Sequence, residues 1–315
     1  MTFQFFLQVL FSSICIATFL FDILLLITVL KMRHLNSNPS IYVIFMTTTG
    51  LVGKLSIFFM FNAYTLSQAL EFSYESRNVT PLPFKIAENA AEYRNVIGKQ
   101  VTLISTFAYL LPLCLNWLMT AHRMTMFLSP ARNSKIFPDD KLLAYCSGIS
   151  LLVFVSLLIP YYSACSLNFD FRTNVFVAEC DPERHPITAF QNRFTVFMPV
   201  LSMSVNIGII LWLKIKRKTK TYSKLEKAII HQAIAIAFYL SIYELGYQLI
   251  RQFPVQYSLL SLETRTIILQ FRFTIVCSIN FLVYFVETRS TREIFMAHYF
   301  PKLSKIKSKS TVTVA

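Results

Sequence analysis

The sequence predicts an all-α membrane protein: a bundle of seven transmembrane helices, followed by a short interfacial helix near the C-terminus. Three observations lead there. The 315-residue chain is 55% hydrophobic and only 15% charged, with 30 phenylalanines, whereas soluble domains carry about 25% charged residues. Lipid accepts that much apolar surface on the outside of a helix bundle, and water does not. Seven apolar runs are long enough to span a bilayer, at about 5–30, 41–66, 98–128, 142–163, 192–213, 226–250 and 264–287. Finally, lysine and arginine collect on alternate connections. Counting residues near the span ends with the adjoining loop, the loops after the first, third and fifth spans together with the C-tail hold 19, and the other loops hold 9.

Each element has its own boundary. The first run lacks a basic leader and a small-residue cleavage site, so it reads as a signal-anchor helix. Asn36-Ser37-Asn38-Pro39 separates it from the second, Pro81 and Pro83 lie before the third, and Pro130 and Pro138 bracket the loop before the fourth. Pro182 and Pro186 precede the fifth, and Pro254 separates the sixth from the seventh. The runs are too long and too evenly apolar for membrane β-strands. The chain is read as one domain over 1–315, ending in an interfacial helix at 291–300 and a basic tail at 301–315.

The basic-rich loops mark the cytoplasmic side. Acidic residues divide the other way, 5 against 9. The N-terminus is therefore expected outside and the C-terminus in the cytoplasm of a plasma-membrane protein. The run Lys214-Ile215-Lys216-Arg217-Lys218-Thr219-Lys220 is the strongest marker, and Asn78-Val79-Thr80 places a glycosylation sequon in an outward loop. The net charge of +14 thus reflects orientation and contact with anionic lipid, not nucleic acid.

Six cysteines occur. Cys15, Cys114, Cys146 and Cys277 fall within spans and read as small buried apolar side chains. Cys165 and Cys180 share the loop after the fourth span, on the oxidising side. A bridge there would contribute roughly 3 kcal/mol; the alternative is two free thiols. Metal-ligand spacing is absent, and neither a metal nor a cofactor is expected.

A charge at a helix centre costs roughly 2.5–3.5 kcal/mol on insertion scales. Asp22 and Lys54 lie at comparable depth in the first and second spans and are expected to pair, as a packing element more than a ligand site. Glu244 and Arg272 lie in the outer halves of the sixth and seventh spans. Tyr247 and Gln248 share the Glu244 face, and Tyr243 flanks it. Either these residues form a small-molecule pocket, or Glu244 and Arg272 form a salt bridge that closes the bundle.

Two short motifs resemble those of G-protein-coupled receptors. Ala121-His122-Arg123-Met124, with Pro130 seven residues after the arginine, is similar to the Asp-Arg-Tyr region at the inner end of the third helix. Asn280-Phe281-Leu282-Val283-Tyr284 resembles Asn-Pro-x-x-Tyr in the seventh. Ser290-Thr291-Arg292-Glu293 is a capping-box pattern opening the interfacial helix. The departures are an acid missing before Arg123, no proline in the sixth helix, no tryptophan in the fourth, no cysteine at the outer end of the third, and a long first outer loop. These, with the aromatic richness, resemble the nematode serpentine chemoreceptors, in the group containing the Srg, Srx, Srv and Srxa families.

That resemblance implies a ligand-activated chemosensory receptor that signals through a heterotrimeric G protein, in sensory cilia, with a small-molecule or peptide ligand. It also assigns roles. Arg123 would pair with Glu226 at rest, the alternative being snorkelling of Arg123 to the headgroups. Asn280 and Tyr284 would belong to the activation switch, and Lys216, Arg217 and Lys218 to the G-protein surface. A transporter or channel is the alternative; it would need a continuous polar path or paired half-helices, and neither is visible. None of the five histidines falls in the middle of a span, which argues against a metal-dependent intramembrane enzyme.

Overall fold

The computed structural model describes residues 2–31, 39–75, 83–170, 175–180, 183, 185–216, scattered positions between 234 and 246, 253–287, and 292, 295, 296, 298 and 299. The described residues are almost wholly helical. α1 runs Thr2–Lys31, α2 Pro39–Glu75, α3 Pro83–Leu128, α4 Pro130–Ile136, α5 Asp139–Tyr161 and α6 Pro186–Lys216. After the sixth predicted span come α7 (Pro254–Leu259), α8 (Leu262–Phe281) and a π-helical segment, Leu282–Glu287.

Among the described residues, six helices are long and apolar enough to cross a bilayer: Phe6–Lys31, Ser40–Phe58, Gly98–Leu128, Asp139–Tyr161, Pro186–Trp212 and Glu263–Val286. Most of the sixth predicted span, 226–250, lies outside the described residues. Those of its positions that are described, from Ile234 to Gly246, are helical. The described positions of the predicted interfacial segment, Arg292, Phe295, Met296, His298 and Tyr299, are helical as well.

Two boundaries differ from the sequence reading. α2 continues to Glu75 and α3 begins at Pro83, so much of the expected long loop between 67 and 97 is helix. Hydropathy registers where apolar character ends, not where a helix ends. Ala87, Glu88, Ala90, Ala91 and Glu92 are polar or small but strong helix formers, and Pro83 starts the helix at a position that needs no N–H. Pro130 likewise opens α4 rather than ending structure.

The bundle is built around α3, which packs against α2, α5 and α6, while α8 packs against α1 and α2. Its interior is apolar: Leu25, Leu113, Leu115, Leu142 and Leu157 are fully buried. The outside is apolar too. Leu151, Leu152, Val155 and Ile159 on α5 are exposed, as expected of a helix facing lipid. Buried polar side chains pair across helices. Asn116 donates to Ser202 Oγ at 3.0 Å, Asn206 donates to Thr120 Oγ1 at 3.1 Å, and the Thr120 and Ser202 hydroxyls lie 2.9 Å apart. This network joins α3 to α6. At the far end of α1, Phe21 packs edge-on against Phe281 and Phe285, and Phe295 closes the cluster. The Tyr299 hydroxyl donates to the Leu24 carbonyl at 3.1 Å.

Between α5 and α6 the chain forms an antiparallel hairpin of β1 (Leu167–Asp170) and β2 (Val175–Ala178), with Leu167 opposite Ala178. Cys165 and Cys180 flank it and are joined by a disulfide, their Cα atoms 4.8 Å apart.

Candidate functional site

A cavity of about 190 Å³ lies between α2, α3, α5, α6, β1 and α8. For scale, an apolar cavity of about 150 Å³ holds benzene. Gly50, Gly53 and Ala108 leave the space open, and a Cβ on Gly53 would meet Ala108 Cβ at 3.0 Å. Polar groups then enter from each wall: Thr106 from α3, Tyr161 from α5, Gln191, Asn192 and Thr195 from α6, and Arg272 from α8. Tyr109 and Phe273 add aromatic faces. The Thr106 and Tyr161 hydroxyls are 2.6 Å apart, fixing α3 against α5 at the wall. Apolar walls with a few convergent hydroxyl, amide and cationic groups are the usual composition of a small-molecule site.

Lys54 lines the cavity and reaches away from it. Its ammonium donates to Asp22 Oδ2 at 2.7 Å and to the Thr18 carbonyl at 3.0 Å. Asn280 Nδ2 donates to the same Asp22 oxygen at 3.0 Å. Lys54 and Asp22 are 3% and 0% exposed, so a charge here without its partner would be stranded in an apolar interior. Gly50 is packed against this cluster, and a Cβ there would run into the Asn280 amide. The arrangement joins α1, α2 and α8 at one level.

The hairpin covers the α3 side of the cavity, with Leu167 in its lining. Gly98 on α3 lets Asn168 come close: an added Cβ would sit 2.7 Å from Asn168 Oδ1. Beside it, Lys99 Nζ lies 2.7 Å from Glu179 Oε1. The Lys99 ammonium first, and the Ser166 side chain second, hold the Glu179 carboxyl below its ordinary value. Near α8, burial pushes the Tyr257 hydroxyl up, while the charges of Arg272 and Arg265 act the other way.

At the opposite end of α3, Arg123 is 5% exposed. The guanidinium turns inward, where the Met119 sulfur lies 3.9 Å from Nη2 and Tyr42 and Tyr284 are its electrostatic neighbours. Nη1 has no hydrogen-bond partner among the described residues. His122 stacks on Phe137 with ring centroids 4.6 Å apart, and its Nδ1 lies 3.3 Å from the Tyr42 hydroxyl. Tyr284 is fully buried in the π-helical segment. Arg123 and Tyr284 thus face one interior region from two elements, while Asn280 belongs to the Asp22–Lys54 cluster.

Several expected site residues lie outside the described residues: Asn78, Arg217, Lys218, Glu226, Tyr243, Glu244, Tyr247 and Gln248. Lys216 is the last residue of α6. The sequence reading singled out Arg272 but missed Thr106, Tyr161, Gln191, Asn192 and Thr195. Hydroxyls and amides inside otherwise apolar runs were the available signal. It also missed that Asn280 joins the Asp22–Lys54 pair.

Residues 37–207 match the family described as Caenorhabditis serpentine receptor-like protein, class xa. The chain is 33% identical over 242 residues to Serpentine receptor class XA 10 of Caenorhabditis elegans, covering 68% of this chain and 72% of that protein. The matched family segment takes in five of the six elements around the cavity, α2, α3, α5, β1 and the lining part of α6; α8 lies beyond it.

Proposed function

The chain belongs to the class xa serpentine receptors, a nematode family of chemoreceptors resembling G-protein-coupled receptors, and on that premise we propose that it is a ligand-activated chemosensory receptor coupled to a heterotrimeric G protein. Membership and its apolar helices make it a multi-pass membrane protein. Seven crossings, with the N-terminus outside and the basic loops in the cytoplasm, complete the proposal; the charge bias between alternate loops supports it.

The observation that carries the ligand reading is the cavity beneath the disulfide-closed hairpin, with Arg272 and a ring of hydroxyl and amide groups in its walls. A small polar ligand, an odorant or the end of a short peptide, suits that chemistry. Glu244, Tyr243, Tyr247 and Gln248 of the sixth span are proposed to complete the site. The ligand would act by favouring one of two bundle arrangements. At the cytoplasmic end, Arg123 is proposed to be held at rest by Glu226 and released on activation, with Tyr284 beside it and Lys216, Arg217 and Lys218 on the G-protein surface. Plasma-membrane placement, in sensory cilia, and glycosylation at Asn78 belong to the same reading.

The test is nucleotide exchange on a G protein by membranes carrying the full chain, challenged with odorants and small peptides. The proposal expects ligand-dependent exchange whose potency falls at least tenfold in Arg272→Met or Tyr161→Phe, and exchange without ligand in Glu226→Ala. Ligand-driven exchange untouched by both cavity variants would move the ligand site elsewhere. Ligand-gated current or flux without exchange would favour a channel or transporter.

A further inference from the structure

Cys15 on α1 and Cys277 on α8 bring their sulfur atoms to 3.9 Å, across 262 residues of sequence. Both side chains are closed off, at 2% and 1% exposure. A buried cysteine alone is an ordinary small apolar filler, and Cys146 has that surrounding, with no sulfur partner among the described residues. The Cys15–Cys277 pair differs in three ways. The sulfurs already touch. Cys277 belongs to the cavity lining, so a slight shift of that wall, not unfolding of the bundle, would open its sulfur to a molecule in the cavity. Lys54 adjoins the pair through its backbone: its carbonyl oxygen lies 3.7 Å from Cys15 Sγ, while its ammonium is held by Asp22.

We propose that Cys15 and Cys277 form a reactive dithiol site for small organic hydroperoxides that enter the cavity. The Cys277 sulfur attacks the terminal peroxide oxygen; the O–O bond breaks, leaving a sulfenic acid on Cys277 and an alcohol that takes the thiol proton. The Cys15 sulfur then attacks the sulfenic sulfur, forming the S–S bond and expelling water, which carries away the Cys15 proton and the sulfenic hydroxyl. The two thiols lose two electrons and the peroxide gains them. Closing the bond needs the sulfurs to move from contact to about 2.0 Å. The product staples α1 to α8 beside the cavity, three residues before Asn280. Peroxide would then act on the receptor as a covalent input, separate from any reversible ligand.

The test uses the full chain in membranes, exposed to cumene hydroperoxide and then to a thiol-alkylating reagent, with peptide mass spectrometry. The expected result is a Cys15–Cys277 linked peptide and a fall from four alkylatable thiols to two, Cys114 and Cys146 remaining free. In Cys15→Ser the linked peptide disappears and Cys277 carries a sulfenic acid trappable by dimedone. An intact Cys165–Cys180 peptide in each sample reports that the chain is folded. Recovery of Cys15 and Cys277 as free thiols in folded chain, under peroxide that oxidises accessible thiols of an added control peptide, would overturn the proposal. So would sulfenic acid on Cys277 without linkage in the unsubstituted chain. Neither outcome depends on G-protein coupling.

Discussion

Lys99 Nζ and Glu179 Oε1 stand 2.7 Å apart, tying α3 to the end of the hairpin. Glu179 is held below its ordinary value, chiefly by this contact. A carboxyl depressed on folding stabilises the fold while ionised; its contribution is complete above the unfolded value and is lost as pH falls through the folded one. Both side chains are a third or more exposed, so the worth is about 0.2–1 kcal/mol. Glu179→Gln should lower Tm slightly at neutral pH, and the difference should vanish in acid and shrink in high salt. A difference that persists where the carboxyl is protonated would assign it to something other than the ion pair.

Gly50 sets a steric limit. Its missing Cβ makes room for the Asn280 amide and, at 3.0 Å, for Asp22 Oδ2. Gly50→Ala should destabilise by about 1–3 kcal/mol through overpacking, read as a lower melting temperature in detergent. Gly148→Ala is the control, because nothing lies within 4 Å of a Cβ there. Equal melting shifts in the two variants would contradict the packing account.

Removing one member of the buried ion pair should cost more than removing both. Asp22→Asn leaves the Lys54 ammonium in an apolar interior, a loss of about 3–5 kcal/mol. Adding Lys54→Met should restore much of the surface expression, as counted by flow cytometry of tagged cells. A double variant no better expressed than the single one would show that the two charges act independently.

The disulfide closes the hairpin over a sequence separation of 15, so Cys165→Ser with Cys180→Ser should lower stability by about 3 kcal/mol. Because Leu167 lines the cavity, the loss should also reach the site. The Tyr161→Phe and double-serine variants should both weaken responses to the same ligand, and reductant should imitate only the second. Full potency in reductant would separate the hairpin from the site.

What the sequence disclosed, and what it withheld, follows from what hydropathy measures. An apolar run announces a span through its length alone, which made α1 and α5 easy to read. It says little about a helix that continues past the lipid, and so the early residues of α3 passed for a loop. Depth in the membrane put Asp22 and Lys54 on one level. It could not give the rotation of α8, and without that rotation Asn280 has no reason to face Asp22. The cavity was hidden for the same reason. Thr106 and Tyr161 lie 55 residues apart and gain meaning only once α3 meets α5. Arg272 was conspicuous, being a charge in the middle of an apolar run. Cys15 and Cys277 looked like filler because neither has any local sign of the other.

The ion pair also says something about how the protein is made. α1 leaves the ribosome carrying a carboxylate with nothing to neutralise it, and its counter-ion arrives 32 residues later. The first two spans are therefore easier to commit to lipid together, as a helical hairpin whose charges cancel, than one after the other. The amide that completes the cluster comes 258 residues behind Asp22, long after both of those spans. Until α8 docks, one face of the nascent hairpin keeps an unfilled polar notch beside Gly50. A truncated chain that stops before α8 would present that notch to lipid or to quality-control machinery, and arrival of α8 is what seals it.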